Sequence, residues 1–324
     1  MFLRPGSNGK AGRLAATGLG SCGEGGIRTP VTREGKAVFK TAAFDRSATS
    51  PWAAKVGCQP ATIFDHMPAV RLEFLGTGTS QGVPVIGCTC AVCTSSDPMD
   101  KRLRASALVR TGDATLLIDA GPDLRQQMLR ARVDRLDAVL LTHEHMDHVA
   151  GIDDLRAFNF KQQRAMDIHG NAATLHAVKR LYHYAFEEVK YPGVPELRLH
   201  PIDQPAFTAG GVHVEPIEVM HDRMPVLGFR IGGMAYITDA KTMADEEIRK
   251  VQGVDVLVLN ALRLKPHPSH LNLAEALLLV ERIAPKRAYF THISHLLGCH
   301  AEVAATLPPS VHLAHDGLVV EVPA

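Results

Sequence analysis

From residue 67 onward, short apolar runs alternate with polar punctuation. The runs are LEFLG (72–76), ATLLIDA (114–120), DAVLLTH (137–143), VHVEPIEV (212–219), VLGFRI (226–231), MAYITD (234–239), VDVLVLN (254–260), RAYFTHI (287–293) and GLVVEV (317–322). Each is rich in branched and aromatic residues and bounded by turn formers, so each predicts a strand. Between them lie helical patterns. PDLRQQMLRARV opens with Pro122 at a favourable first-turn position, and NLAEALLLVERI opens with the capping pair Asn272 and Glu275. The strands fall into an early and a late group with no repeat of fixed period. Runs apolar on both faces suit an α/β chain in which two sheets pack face to face with helices outside.

The first 66 residues differ. GSNGKAG, GLGSCGEGG and RSATSP are rich in Gly and Ser and carry neither period. They read as a disordered extension, or as codons translated upstream of the true start. IRT can be encoded by ATT-CGA-ACC, the reverse complement of the T-loop shared by transfer RNA genes, which would make Met67 the first natural residue. The expected organisation is therefore 1–66 as extension and 67–324 as one domain.

Composition and charge exclude some functions. The 324 residues are 46% hydrophobic and 21% charged, an ordinary globular balance. No apolar run approaches the roughly 18 residues of a membrane span, and no secretory signal opens the chain, so a cytoplasmic location is the default. Net charge is +1, but residues 1–66 hold 9 Lys and Arg against 4 Asp and Glu, leaving 26 against 30 for the rest. That mild acidity argues against a nucleic-acid backbone as partner. Cys88, Cys90 and Cys93 lie too close together for a disulfide framework, so reduced thiols, some on metal, are expected. Cys22, Cys58 and Cys299 have no such partners.

The densest chemistry is LLTHEHMDHVAGIDDL (140–155), with three histidines and an aspartate within six positions after an apolar strand. Side chains alternate along a strand, so His143 and His145 leave it on one side. Asp147 and His148 follow as the chain turns toward a helix starting near Val149. Four ligands can thus surround two adjacent points.

THEHMDH resembles the signature of the metallo-β-lactamase-fold hydrolases, whose fold is an αββα sandwich. The resemblance covers essentially residues 67–324. It implies further ligands at His221 in IEVMHD, Asp239 in AYITDA and His292 in YFTHISH, with Asp119 in LLIDAGPD supporting them from behind. The implied site has His143, His145 and His221 on one ion and Asp147, His148 and His292 on the other, with Asp239 and a hydroxide between. Zn²⁺ and Mn²⁺ both suit these ligands. Two ions about 3.5 to 4 Å apart acidify water and clamp the attacking and leaving oxygens, so hydrolysis is the expected reaction.

GTGTSQGVPVIGCTCAVC (76–93) is similar to the opening of the PhnP-type phosphodiesterases, which open ribose 1,2-cyclic phosphates. The likeness implies a structural zinc on Cys88, Cys90, Cys93 and His295, and a histidine near the scissile phosphate at His270. Asp147 and His270 then carry the catalytic roles. His267 and His300 read as exposed neighbours, and Ser106 as a possible contact to a substrate oxygen. AKTM after Asp239 and NALRLKPHPSH depart from that family's pocket rim, which leaves the substrate open. The reading is a dinuclear phosphodiesterase acting on a small phosphate ester, with a ribose cyclic phosphate as the candidate. The alternatives are a ribonuclease Z-like RNA processor, which would be expected to carry a long basic arm, and a metal-stabilised scaffold without activity. A homodimer stays open. Residues 158–191 offer either a lid or plain amphipathic packing.

Overall fold

The computed structural model describes residues 69–323. The expected 1–66 extension, with Cys22 and Cys58, lies outside them. Fourteen strands are present among the described residues: β1 (Val70–Gly76), β2 (Ser106–Thr111), β3 (Ala114–Ile118), β4 (Ala138–Leu140), β5 (Met166–Gly170), β6 (Leu197–Pro201), β7 (Phe207–Ala209), β8 (Val212–His221), β9 (Met224–Ile231), β10 (Met234–Tyr236), β11 (Val256–Asn260), β12 (Arg287–Thr291), β13 (Val311–Leu313) and β14 (Val319–Val322). They form two seven-stranded sheets, ordered β14-β1-β2-β3-β4-β5-β6 and β13-β12-β11-β10-β9-β8-β7. Both sheets are mixed. β3 to β6 run parallel in the first and β10 to β13 in the second, while β1 to β3 and β7 to β10 are antiparallel.

Alternation along each strand separates three buried layers. Leu72, Phe74, Leu116 and Ile118 from the first sheet meet Phe229, Tyr236, Val256 and Val258 from the second, so the sheets pack face to face. The intervening residues point outward. Leu75, Leu117 and Ile168 pack under Leu124, Val149, Phe158 and Val178 on the helical side of the first sheet. Leu257 and Leu259 pack with Ala276, Leu279, Val280 and Ile283 of helix Leu273–Ile283 on the second. This is the αββα sandwich. Helix Leu273–Ile283 opens with the capping box read from the sequence: Asn272 accepts from the Glu275 N–H at 2.8 Å and the Glu275 carboxylate accepts from the Asn272 N–H at 2.9 Å.

Several local expectations change. The helix placed near Val149 starts at Met146, with His145 in the extended N-cap position, and ends after one turn at Val149. Residues 158–186 contribute side chains to the layer on the first sheet, whereas Val189 and Tyr191 are exposed. Phe158 and Tyr182 are buried on the first sheet, and the Tyr182 hydroxyl donates to the Val149 carbonyl at 2.8 Å. No helix among the described residues is long and apolar enough to cross a membrane.

Candidate metal centre

The chemistry-bearing residues gather where strands end, the edge at which mixed α/β sheets leave room for ligands. Asp119 follows β3, His143 to His148 follow β4, His221 ends β8, Asp239 follows β10 and His292 follows β12. Three of these residues take left-handed backbone: Asp119 (φ 62°), Asp239 (φ 58°) and His292 (φ 54°). Arg132, Gln163 and Ala284, also left-handed, stand at or just past helix C-termini, where that conformation is routine. At the strand ends it costs conformational energy and is held by surrounding bonds. The Ala240 N–H donates to the Asn260 side chain at 2.7 Å, and the Ile293 N–H donates to the Thr77 carbonyl at 2.8 Å.

Two glycines let the loops touch. A Cβ on Gly121 would lie 2.1 Å from the Asp147 carbonyl, and one on Gly151 would lie 2.1 Å from the Gly121 carbonyl. The turn carrying Asp147 and His148 therefore seats directly on the turn carrying Asp119.

Asp119 is fully buried and acts behind the cluster. It accepts from the Thr142 N–H at 2.8 Å, the Thr142 hydroxyl at 2.9 Å and His148 Nδ1 at 2.7 Å. With Nδ1–H committed there, His148 presents Nε2 to the cavity. His221 is fixed the same way, its Nδ1 donating to the carbonyls of Asp239 (3.0 Å) and Ser269 (2.8 Å). Nε2 of His143 and Nδ1 of His145 face each other at 3.0 Å. Asp239 Oδ2 lies 3.4 Å from His148 Nε2 and its Oδ1 3.2 Å from His292 Nε2, while Asp147 Oδ2 lies 3.2 and 3.6 Å from the same two nitrogens.

Burial lowers the proton affinity of His143 and His145. It acts the same way on His148, but the carboxylates of Asp119, Asp239 and Asp147 outweigh it and raise that imidazole well above its usual value. Burial would raise Asp147 and Asp239. His148 and His292 instead hold both well below the usual carboxylate range.

A cation fits this donor set. His148 Nε2, His270 Nδ1 and His292 Nε2 are buried without a hydrogen-bond partner, a costly state that coordination relieves. Ligand atoms of His143, His148 and Asp239 converge, as do those of Asp147, His148 and His292, and those of His221, Asp239 and His270. The residues singled out in the sequence thus come to one place, His145 included through its contact with His143. His270 is buried and stacked on His292 at 4.9 Å, with Nδ1 3.7 Å from Asp239. Burial and the neighbouring His292 push it down to about 3, which favours the neutral imidazole. Ser106 is different. Its buried hydroxyl is spent on the carbonyls of Ile118 (3.1 Å) and Asp119 (2.8 Å), which removes it as a substrate contact.

A second cluster stands beside the first. Sγ of Cys88, Cys90 and Cys93 lie 3.3, 3.4 and 3.5 Å from His295 Nδ1. Tetrahedral zinc with its usual S and N bond lengths gives S···N edges of about 3.6 Å, so the four atoms are spaced for one ion. The Cys93 N–H lowers Cys90 to about 6, whereas burial pushes the Cys93 thiol up to about 11. The cluster lies three residues beyond His292 on the same strand end. Cys299 packs against it without joining the four. His300 accepts from buried Arg102 through Nδ1 at 3.0 Å and does not belong to either cluster.

Thr142, Asn260, Gly121, Gly151 and the Ser269 carbonyl were not legible as site residues. Their signal is a three-dimensional neighbour, which spacing along the chain does not carry.

The beta-lactamase superfamily domain matches residues 114–293, and the chain belongs to that superfamily. A solved diphosphatase of the PhnP family is 39% identical, with a TM-score of 0.74, over 79% of this chain and 98% of that one. The octanoyltransferase of Porphyromonas gingivalis is 43% identical over 253 residues, 77% of this chain and 51% of that protein. Ribonuclease Z of Bradyrhizobium diazoefficiens is 33% identical over 140 residues, 42% of this chain and 46% of that protein. The chain thus aligns with only about half the length of either curated relative. The fold implies a divalent metal.

Replacing Asp119 by asparagine leaves volume and backbone tolerance unchanged but removes the charge behind His148. Metal affinity and turnover are expected to fall about 10- to 100-fold, read by metal titration of the purified variant. Unchanged affinity would refute the supporting role of Asp119.

Proposed function

We propose that the protein is a phosphodiesterase of small molecules, working with two divalent ions (Zn²⁺ or Mn²⁺) at the histidine and carboxylate cluster and one structural zinc at the cysteines. The observation that carries the reading is the set of buried, unpartnered imidazole nitrogens of His148, His270 and His292 facing two carboxylates. His143, His145 and His221 would hold one ion, Asp147, His148 and His292 the other, and Asp239 both. Ions bound there would supply positive charge to the phosphoryl oxygens and lower the pKa of water.

The chain's own residues set the geometry. Asp119 and the Ser269 carbonyl fix which nitrogen His148 and His221 present. The turn at Asp239 is clamped by Asn260, which keeps that carboxylate between His148 and His292. His270, ringed by His221 and His292, would stand beside the departing oxygen, where a neutral imidazole can steady it by an N–H hydrogen bond.

The test is hydrolysis of bis(p-nitrophenyl) phosphate and of a ribose 1,2-cyclic phosphate, with Mn²⁺ or Zn²⁺ added and after chelation. Turnover that a chelator removes and Mn²⁺ restores is expected; no turnover under any metal favours the inert scaffold. A second reading, cleavage of a phosphoanhydride, draws support from the diphosphatase relative. RNA remains a third possibility through the ribonuclease Z likeness, but acidic residues exceed basic ones by 30 to 26 beyond residue 66. RNA cleavage would show itself by steep salt sensitivity.

A further inference from the structure

The loop between β11 and helix Leu273–Ile283 carries a histidine that the site has not used. Two imidazoles of this loop continue a line that starts at His292, beyond β12: His270 at 4.9 Å, then His267 at a further 5.0 Å. His267 is half-buried and does not belong to any of the converging ligand groups. Its Nδ1 is 3.3 Å from the Ser269 N–H, and a backbone amide only donates, so Nδ1 is the acceptor and the neutral ring carries its proton on Nε2.

The loop is held in place. Pro266 and Pro268 flank His267, fixing two φ angles and biasing His267 to extended backbone. The Arg263 guanidinium donates to the carbonyls of Lys265 (3.1 Å) and Pro266 (2.7 Å), and the Ser269 carbonyl accepts from His221 at 2.8 Å. His267 is thus referenced to a ligand histidine through one intervening residue. Arg263 and Lys241 lie near enough to act on it electrostatically, so its surroundings are cationic, although Glu275 partly offsets Lys241 at 2.8 Å. A fixed N–H donor in a cationic field, one imidazole further out than the group beside the scissile phosphate, suits a second anionic group on the same substrate.

We propose that His267 is a substrate-positioning residue whose Nε2–H binds the second phosphoryl group of an organic diphosphate. This rests on phosphoryl hydrolysis at the neighbouring cluster. Water oxygen bonds to the inner phosphorus and its proton passes to solvent. The bridging P–O bond breaks, with its electron pair leaving on the outer phosphoryl group as a phosphate monoester. His267 transfers no proton; it holds that outer group in line.

The experiment compares the full chain with His267→Ala and His267→Gln, each loaded with Mn²⁺, on diadenosine diphosphate and on bis(p-nitrophenyl) phosphate, which has no second phosphoryl group. Binding of adenosine α,β-methylenediphosphate against AMP is titrated in parallel. For His267→Ala, KM for diadenosine diphosphate is expected to rise about tenfold, the loss of one hydrogen bond to a charged group. Its kcat and both constants for the diester should hold within about twofold, and the preference for the methylenediphosphate over AMP should disappear. Glutamine, which keeps a donor at similar reach, should restore most of the loss.

Equal losses on both substrates would overturn the proposal in favour of a purely structural histidine. So would a wild-type protein that cleaves the diester yet neither cleaves diadenosine diphosphate nor prefers the methylenediphosphate. Failure of the wild type on every substrate would instead overturn the phosphodiesterase reading, with the titration still judging His267.

Discussion

Exchanging Asp239 for asparagine is expected to cut hydrolysis by about a thousandfold, roughly 4 kcal/mol of barrier, while the fold persists. The carboxylate is buried between His292 Nε2 at 3.2 Å and His148 Nε2 at 3.4 Å and accepts from the Thr238 hydroxyl at 2.7 Å. Asparagine matches its volume and tolerates the left-handed φ of 58° that the turn requires. The backbone clamp from Asn260 does not involve the exchanged atoms. What changes is one negative charge and one acceptor oxygen, replaced by an NH₂ that directs protons at whatever the histidines hold. A carboxylate shared between two cations is worth far more than a surface ion pair, because burial removes the solvent that would otherwise screen it. Elemental analysis should therefore find fewer than two active-site ions per chain, with circular dichroism unchanged. A variant with full metal content and near-normal turnover would remove Asp239 from the centre of the proposal.

The candidate ligand residues were legible because coordination chemistry restricts the side chains that could perform it, and THEHMDH packs four such side chains into seven positions. The long central strands were legible for another reason. β11, buried along all five residues, is an unbroken apolar run. β5 (MDIHG), β6 (LRLHP), β7 (FTA) and β13 (VHL) escaped because they lie at or near sheet edges and mix polar with apolar residues. β2 (SALVRT) was missed although its residues are nearly all buried, because Ser106 and Thr111 interrupt its apolar character. Ser106 also shows why a hydroxyl near a site is a weak clue. Its partners are carbonyls of a neighbouring strand, set by register. The left-handed turns at Asp119, Asp239 and His292 follow from contacts among separate loops, so no local propensity announces them.

Cys93→Ser is expected to release the structural ion and lower the midpoint of thermal unfolding by about 10 °C, several kcal/mol at the usual slope for a domain of this size. The cysteine loop has little else inside it. Its buried apolar cluster is Val83, Val92 and Cys93 itself, against more than twenty residues in each of the clusters packed on the second sheet. An ion held by three thiolates and an imidazole supplies binding energy comparable to the whole stability of a domain, so an ion bound here would outweigh packing. The damage should nevertheless stay local. Gly78, Thr79 and Ile293 are still joined by backbone pairing, with the Thr79 N–H donating to the Ile293 carbonyl at 3.1 Å. The three layers of the sandwich do not draw on the loop. Limited proteolysis should therefore cut first between residues 80 and 100 while the remaining domain resists. Turnover should fall by no more than about tenfold, because His292 stands three residues before His295 and loses one anchor but keeps the bonds that Ile293 makes with Thr77 and Thr79. A serine variant that keeps the extra zinc, or melts within about 2 °C of the wild type, would show that the four residues merely lie close together.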